Sequence, residues 1–305
     1  MNSLNNYLHL VHEDFQNYIE KNDKYCELLD LNFRGEHLPD YQKDGIVQLY
    51  LLRYAYAYLF EYKHIFKSII DYIGPSKFKK LRILSVGCGN YLDYWGAALA
   101  CNEFKESIGI KYTGIDPVNW RYKVTPRHRD NIQFEQKTFY EFLKNIIETE
   151  EELNINIIIF PKSIGEFSSD EFREICSLLK RCRFKRKKIA LIFSFRDARR
   201  LSDMNRVAMI VDAFKNHKME SYAISNYERD RCYGIKKDIG ICAIDANFIY
   251  PKDILEYITS LTTLCTQQNI MLGQCRECST TLARYPILKT NYIAYSWALI
   301  RRKEI

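Results

Sequence analysis

The pattern of apolar and polar positions changes period once along the chain, near residue 81. Before that point apolar residues recur at three- and four-residue steps. Leu4, Leu8, Val11, Phe15 and Ile19 do so first, which predicts an amphipathic helix. Residues 31–45 read as a loop, marked by Gly35, Pro39 and Gly45. A second helix is predicted from about Ile46 to Ile73, ended by Gly74 and Pro75. It sets Tyr50, Tyr54, Tyr58 and Tyr62 on one stripe at i, i+4 spacing. A stripe of this kind is either a base-stacking surface or a half-buried face whose hydroxyls reach its rim. The half-buried reading is preferred.

From residue 81 apolar strands alternate with helices. The expected strands are 81–87, 111–117, 131–137, 155–161 and 187–195. The expected helices are 92–104, 139–150, 169–182 with Ser168 or Ser169 as N-cap, and 202–217 with Ser202 as cap. Strands this apolar, separated by helices, predict a parallel sheet covered on both faces. Residues 291–303 read as a last strand. The stretch 221–290 is less regular, with a strand or hairpin around 233–248, a helix over 251–265 and a cysteine-containing loop. Two regions are therefore expected. Residues 1–80 form a helical region packed on the core, and 81–305 an α/β domain with an elaboration at about 221–290.

Composition narrows this picture only slightly. The chain has 305 residues, 47% of them hydrophobic and 27% charged, an ordinary globular mix. No apolar run approaches the roughly 20 residues of a membrane span, and the first 16 residues lack the pattern of a signal peptide. A cytoplasmic location without membrane association is expected, with the ten cysteines as thiols. The net charge of +7 is a mild basic bias.

Candidate chemistry begins where the period changes. The strand at 81–87 stops at Gly87 and Gly89, and a helix begins at Leu92. In an open parallel sheet, ligands bind beyond the carboxyl ends of the strands. Glycines there let a ligand lie against backbone, and the helix that follows offers unpaired N–H groups. Asp116 ends the next strand in "YTGIDP". A carboxylate in that place is positioned to accept hydrogen bonds from ribose hydroxyls. A G-x-G-x-x-G dinucleotide fingerprint is absent, because residue 92 is Leu.

Taken together, residues 46–300 resemble a class I S-adenosylmethionine-dependent methyltransferase. "SVGCGN" is similar to the family's first motif and "GIDP" to its second; "QKTF" falls at the adenine site, "FPKSIGEF" at motif four, and 291–303 at the final antiparallel strand. The resemblance implies a doubly wound, mostly parallel Rossmann-like sheet with an N-terminal helical extension and an elaboration before the last strand. It implies S-adenosylmethionine as cofactor. The lining it implies is Val86, Gly87, Cys88, Gly89, Asn90 and Asp93 from the glycine loop, then Asp116 and Pro117, Thr138 and Phe139, and Phe160, Pro161 and Lys162. Asp93 is assigned to the amino-acid end of the cofactor. The sequence departs from the family pattern at Ser85, where an acid is usual, at Tyr91, where a third glycine is usual, and within Gln136–Thr138, where the adenine-site acid is missing.

Three other constellations stand out. The run 180–188 carries seven basic residues and no acid, between a helix and a strand. It reads as a solvated loop or as a phosphate contact at the amino ends of the strands. Arg196, Arg199 and Arg200 follow a strand's carboxyl end and suit an anionic methyl acceptor, RNA or a small molecule. Cys275 and Cys278 form C-x-x-C, with Cys265, Cys242 and Cys232 upstream. With no second close pair, no zinc is expected. Two function classes remain open at this point. One is methyl transfer to an acceptor. The other is a non-catalytic module that keeps the fold, and with it cofactor binding, for an interaction or assembly role.

Overall fold

The structure is a computed structural model. It describes residues 3–22, 25–31, 39–195, 200–215, 217, 219–224, 228–230, 242–243, 248–264, 282, 284–290 and 293–302. Two compact units emerge, one of residues 61–119, 126–232 and 292–305, the other of 1–60, 120–125 and 233–291.

The first unit is built on one mixed sheet. Its strands are β1 (Lys80–Val86), β2 (Gly109–Ile115), β3 (Asn131–Glu135), β5 (Ile157–Pro161), β7 (Lys188–Ser194), β8 (Met219–Ile224), β9 (Glu228–Asp230) and β12 (Ile293–Arg302). Spatial order is β3-β2-β1-β5-β7-β12-β8, with β9 also on β12. The first five of these strands run parallel, and β12 runs antiparallel to β7, β8 and β9. This is the doubly wound, mostly parallel Rossmann-like sheet expected from the sequence. Helices α3 (Leu92–Cys101), α4 (Phe139–Glu148), α5 (Ser169–Leu179) and α6 (Arg200–Lys215) flank it.

The physical cause is full burial of the central strands. All of Ile157 to Phe160 in β5 and Ile189 to Phe193 in β7 are buried, so an unbroken apolar run is the only pattern that fits there. On one face β5 and β7 pack Phe160 on Phe193, with centroids 5.3 Å apart. Phe172 of α5 and Ile210 of α6 lie in the same core cluster. On the other face α3 meets the end of α2 (Asp44–Ile73) at Gly96, where an added Cβ would sit 2.6 Å from Tyr62 Cβ and 2.7 Å from the Lys63 nitrogen. Register places Val86, Ile115, Glu135, Pro161 and Ser194 together at the carboxyl end of the sheet.

Several boundaries differ from the sequence reading. α6 begins at Arg200, so Ser202 lies inside it and is not its cap. Ser168, by contrast, caps α5 by accepting from the Glu171 N–H at 3.2 Å. β8 was not anticipated, and neither was the two-stranded parallel pair β4 (Glu152–Leu153) and β6 (Arg183–Phe184).

The second unit holds α1 (Leu4–Asn22), a 3-10 turn at Tyr25–Asp30, most of α2, α7 (Lys252–Leu264), and the strand pair β10 (Cys242–Ala243) and β11 (Lys289–Thr290). Leu8, Val11, Phe15 and Ile19 of α1 are fully buried, as their spacing predicts. Ile254, Ile258 and Leu261 form the matching face of α7. Arg53 is buried, donates from Nη2 to the Leu282 carbonyl at 3.0 Å, and is pushed down to about 10, chiefly by burial. Tyr50, Tyr54 and Tyr58 are half-buried, with Tyr54 stacked on Tyr58 at 5.6 Å and Trp120 on Tyr41 at 4.3 Å. Among the described residues, no helix is long and apolar enough to cross a membrane.

Candidate functional site

At the carboxyl end of β1 the chain turns away from the sheet. The Gly87 and Cys88 N–H groups both donate to the Ile115 carbonyl, at 2.8 and 3.1 Å. This ties the turn to the end of β2. Gly87 and Gly89 have φ of 74° and 51°, the left-handed region that glycine enters without a Cβ clash. Gly87 has a second reason to be glycine, since a Cβ there would lie 2.6 Å from Ser163 Cβ. Ser163, in the loop after β5, donates its hydroxyl to the Val86 carbonyl. The loops after β1, β2 and β5 are thus locked to one another.

Tyr91 explains one departure from the family pattern. It is the N-cap of α3 and itself takes φ 71°, the conformation a third glycine would supply. A non-glycine residue there costs about 1–2 kcal/mol. The ring is buried against Tyr112 and Phe134, with centroids 5.5 and 6.2 Å away, which offsets that cost.

Asp116 lies one residue beyond β2. Its Oδ2 accepts from the Gly89 N–H and its Oδ1 from the Val118 N–H, both at 2.9 Å. The carboxylate therefore sits directly on the glycine turn, 27 residues away in sequence. Asp116 is 6% exposed. Pro117 is exposed, and its carbonyl accepts from Gln136 Nε2 at 3.5 Å. Thr138 caps α4 in a capping box with Glu141, which fixes the loop after β3.

Other expected lining residues are placed differently. Val86, Phe139 and Phe160 have buried side chains in the core cluster. Cys88 is buried, and a Cβ on Gly114 would meet its Sγ at 2.7 Å, so the thiol packs on β2. Asn90 is also buried. Asp93 is 1% exposed and its Oδ1 accepts from the Tyr112 hydroxyl at 2.8 Å. This places the carboxyl at the helix–sheet interface. Burial, the largest effect, pushes it up to about 6.

Lys162 follows β5 with φ 62°, its N–H donating to the Ser194 carbonyl at 3.1 Å. Its ammonium donates to Glu61 Oε1 at 2.7 Å and to the Phe195 carbonyl at 3.1 Å. The Ser194 hydroxyl donates to the same Glu61 oxygen at 2.7 Å. Lys162 and Glu61 have side chains only 10% and 11% exposed, so this is a nearly buried ion pair. Sequence reasoning missed Glu61. The available signal was a lone carboxylate in line with Ile65 and Ile69 on the apolar stripe of α2.

Arg196 and Arg199 lie outside the described residues, as do Cys232, Cys265, Cys275 and Cys278; of Arg200 and Cys242 only the backbone is described. Among the described residues no cluster of three or more His, Cys, Asp or Glu side chains is arranged to hold a metal ion.

No family model matches the chain, and no curated protein sequence does. Solved structures similar to it include the plantazolicin methyltransferase BpumL in complex with SAH, at 16% identity and TM-score 0.38 over 95% of this chain and 99% of that one. The plantazolicin methyltransferase BamL, solved with a triazolic desmethylPZN analog and SAH, is similar at 13% identity and TM-score 0.39 over 97% and 99%. A SAM dependent methyltransferase from Archaeoglobus fulgidus is similar at 12% identity and TM-score 0.37 over 79% and 94%. At these scores none of the three likenesses bears on what this chain binds.

Proposed function

We propose that the chain binds S-adenosylmethionine at the Gly87–Asp116 end of the sheet and transfers its methyl group to an acceptor. One observation carries the reading. The Asp116 carboxylate is held on the Gly89 N–H at 2.9 Å, beyond the carboxyl ends of two adjacent parallel strands. A diol-binding acid beside a turn of bare backbone suits a nucleoside. Asp116 would hold the ribose hydroxyls, Gly87 and Gly89 would lie against the amino-acid end, and Pro117 and Thr138 would border the adenine. The cofactor supplies an electrophilic methyl group. The protein's own contribution is to hold the acceptor's nucleophile in line with it, with a general base required only for a poor nucleophile.

Lys162 is a positioning residue in this account. Its ammonium is committed to Glu61 and the Phe195 carbonyl, so it fixes the ends of β5 and β7. For the acceptor we propose an anionic molecule, on the support of the +7 charge and of Arg196, Arg199 and Arg200 in the sequence. The experiment is incubation with methyl-labelled cofactor and fractionated cell extract, for the parent and for Gly89→Val. Label is expected in a phosphate- or carboxylate-bearing fraction, and only with the parent. A folded Gly89→Val protein that transfers label as well as the parent would refute the site, because a branched side chain at φ 51° closes the turn.

A further inference from the structure

The basic run 180–188 is not used by the site above. It leads into a cavity of about 570 Å³ at the opposite end of the sheet. Lys80 and Lys188 are the first residues of β1 and β7, so the cavity lies a strand's length from Asp116, about 20 Å. Its volume falls in the ordinary range for small-molecule sites. Lys77, Arg186, Lys187 and Lys188 line it, and no Asp or Glu does.

These cations converge on one cavity without a carboxylate among its lining residues. Some cations of this unit are matched: Lys63 and Lys67 meet Glu103 at 2.6 and 2.5 Å, and Arg127 meets Asp130 at 2.6 Å. Among the described residues, Lys77, Lys187 and Lys188 have no carboxylate partner within ion-pair distance. Arg186 donates from Nε to Asn154 Oδ1 at 2.8 Å, which orients its guanidinium. Register sets Arg301 of β12 beside Lys188, adding to the positive field. Four cations around one concavity repel one another until an anion enters it.

The cavity also has an aromatic wall. Tyr72 and Phe78 line it. Tyr72 is 61% exposed, an unusual degree for a large ring, and it is propped from one side by Trp297 at 4.9 Å between centroids. A polyanion alone has no use for such a wall, whereas an exposed propped ring offers a stacking face.

We propose that this cavity binds a nucleotide, with its phosphates on Lys77, Arg186, Lys187 and Lys188 and its base against Tyr72. The nucleotide is either free or part of an RNA strand. The proposal is independent of cofactor binding at Asp116.

The test uses the full chain in 50 mM salt. ATP and sodium tripolyphosphate are titrated by calorimetry, and a labelled single-stranded RNA decamer by fluorescence anisotropy. The variants are Lys77→Gln/Lys187→Gln/Lys188→Gln, Tyr72→Ala and Asp116→Ala, all checked for an unchanged melting temperature. ATP binding is expected to weaken about tenfold or more in the triple variant and to survive Asp116→Ala. Tyr72→Ala is expected to weaken ATP about five- to tenfold, the effect of losing a stacked base, and to leave tripolyphosphate unchanged. RNA that binds through the same lysines and is displaced by ATP identifies the strand as the source; ATP binding without RNA binding identifies the free nucleotide. ATP binding lost in Asp116→Ala but not in the triple variant would overturn the proposal. So would ATP affinity indifferent to both the triple variant and Tyr72→Ala, or no binding of any of the three probes.

Discussion

Asp93 and Asp116 are two buried carboxylates within one unit with different partners. Asp116 is bonded to two backbone N–H groups at the strand ends, whereas Asp93 is enclosed beneath α3 with Tyr112. Burial raises Asp93 to about 6, above its value in an unfolded chain. Its protonated form therefore contributes to stability below about pH 4, and that contribution is lost as pH rises through about 6. Asp93→Asn keeps an oxygen for the Tyr112 hydroxyl and cannot ionise. Relative to the parent, it is expected to gain roughly 2–3 kcal/mol between pH 4 and pH 7, from the two-unit shift. Urea denaturation of both proteins across that range measures the difference, and a pH-independent difference would contradict it. The sequence made Asp93 a ligand contact because it stands in the glycine loop. What it did not reveal is the side chain's direction, which depends on Tyr112 on the neighbouring strand.

Elements were legible wherever one segment alone sets its own environment. β1, β5 and β7 were readable because both faces are buried, and α1 because one face is. β4 and β6 have two residues each, too few to show a period. β8, "MESYAI", mixes polar and apolar positions at the edge of the sheet beyond β12, where one-sided pairing relaxes the pattern. Glu61 was hidden for another reason: its partner is 101 residues away, and periodicity reports only a helix's own faces. The Glu61–Lys162 pair ties α2 to the ends of β5 and β7. Glu61→Gln leaves a nearly buried ammonium without its counter-charge and is expected to cost about 3–5 kcal/mol. Glu61→Gln combined with Lys162→Met is expected to recover most of that loss. Denaturant midpoints for the two singles and the double decide it, and strictly additive losses would show that the pair is not coupled. The α2–α3 contact makes a second element-scale expectation. Gly96→Ala places a methyl group 2.6–2.9 Å from the Tyr62 and Lys63 backbone region, so α3 must shift. A loss of about 1–3 kcal/mol is expected in thermal unfolding, despite alanine's better helix propensity. An unchanged or raised melting temperature would mean the helices separate without cost.

At the scale of the whole molecule, the five parallel strands follow the alternation of strands and helices in the sequence, and the reversed β12 falls where the family resemblance implies a final antiparallel strand. The parallel direction of these strands was legible because each parallel crossover needs a helix, so strand and helix must alternate in the sequence. Acceptor choice was not legible, since it belongs to side chains that no sheet pattern fixes. The account rests on the carboxyl end of β1 and β2 being a nucleoside site. Isothermal calorimetry with S-adenosylmethionine and S-adenosylhomocysteine, on the parent and on Asp116→Ala, tests that most directly. The parent is expected to bind both. Asp116→Ala should remain folded and bind about ten- to a hundredfold more weakly, the loss of charge-assisted bonds worth about 1.5–3 kcal/mol. A parent that binds neither compound at millimolar concentration, or an Asp116→Ala variant that binds them as tightly as the parent, would contradict it.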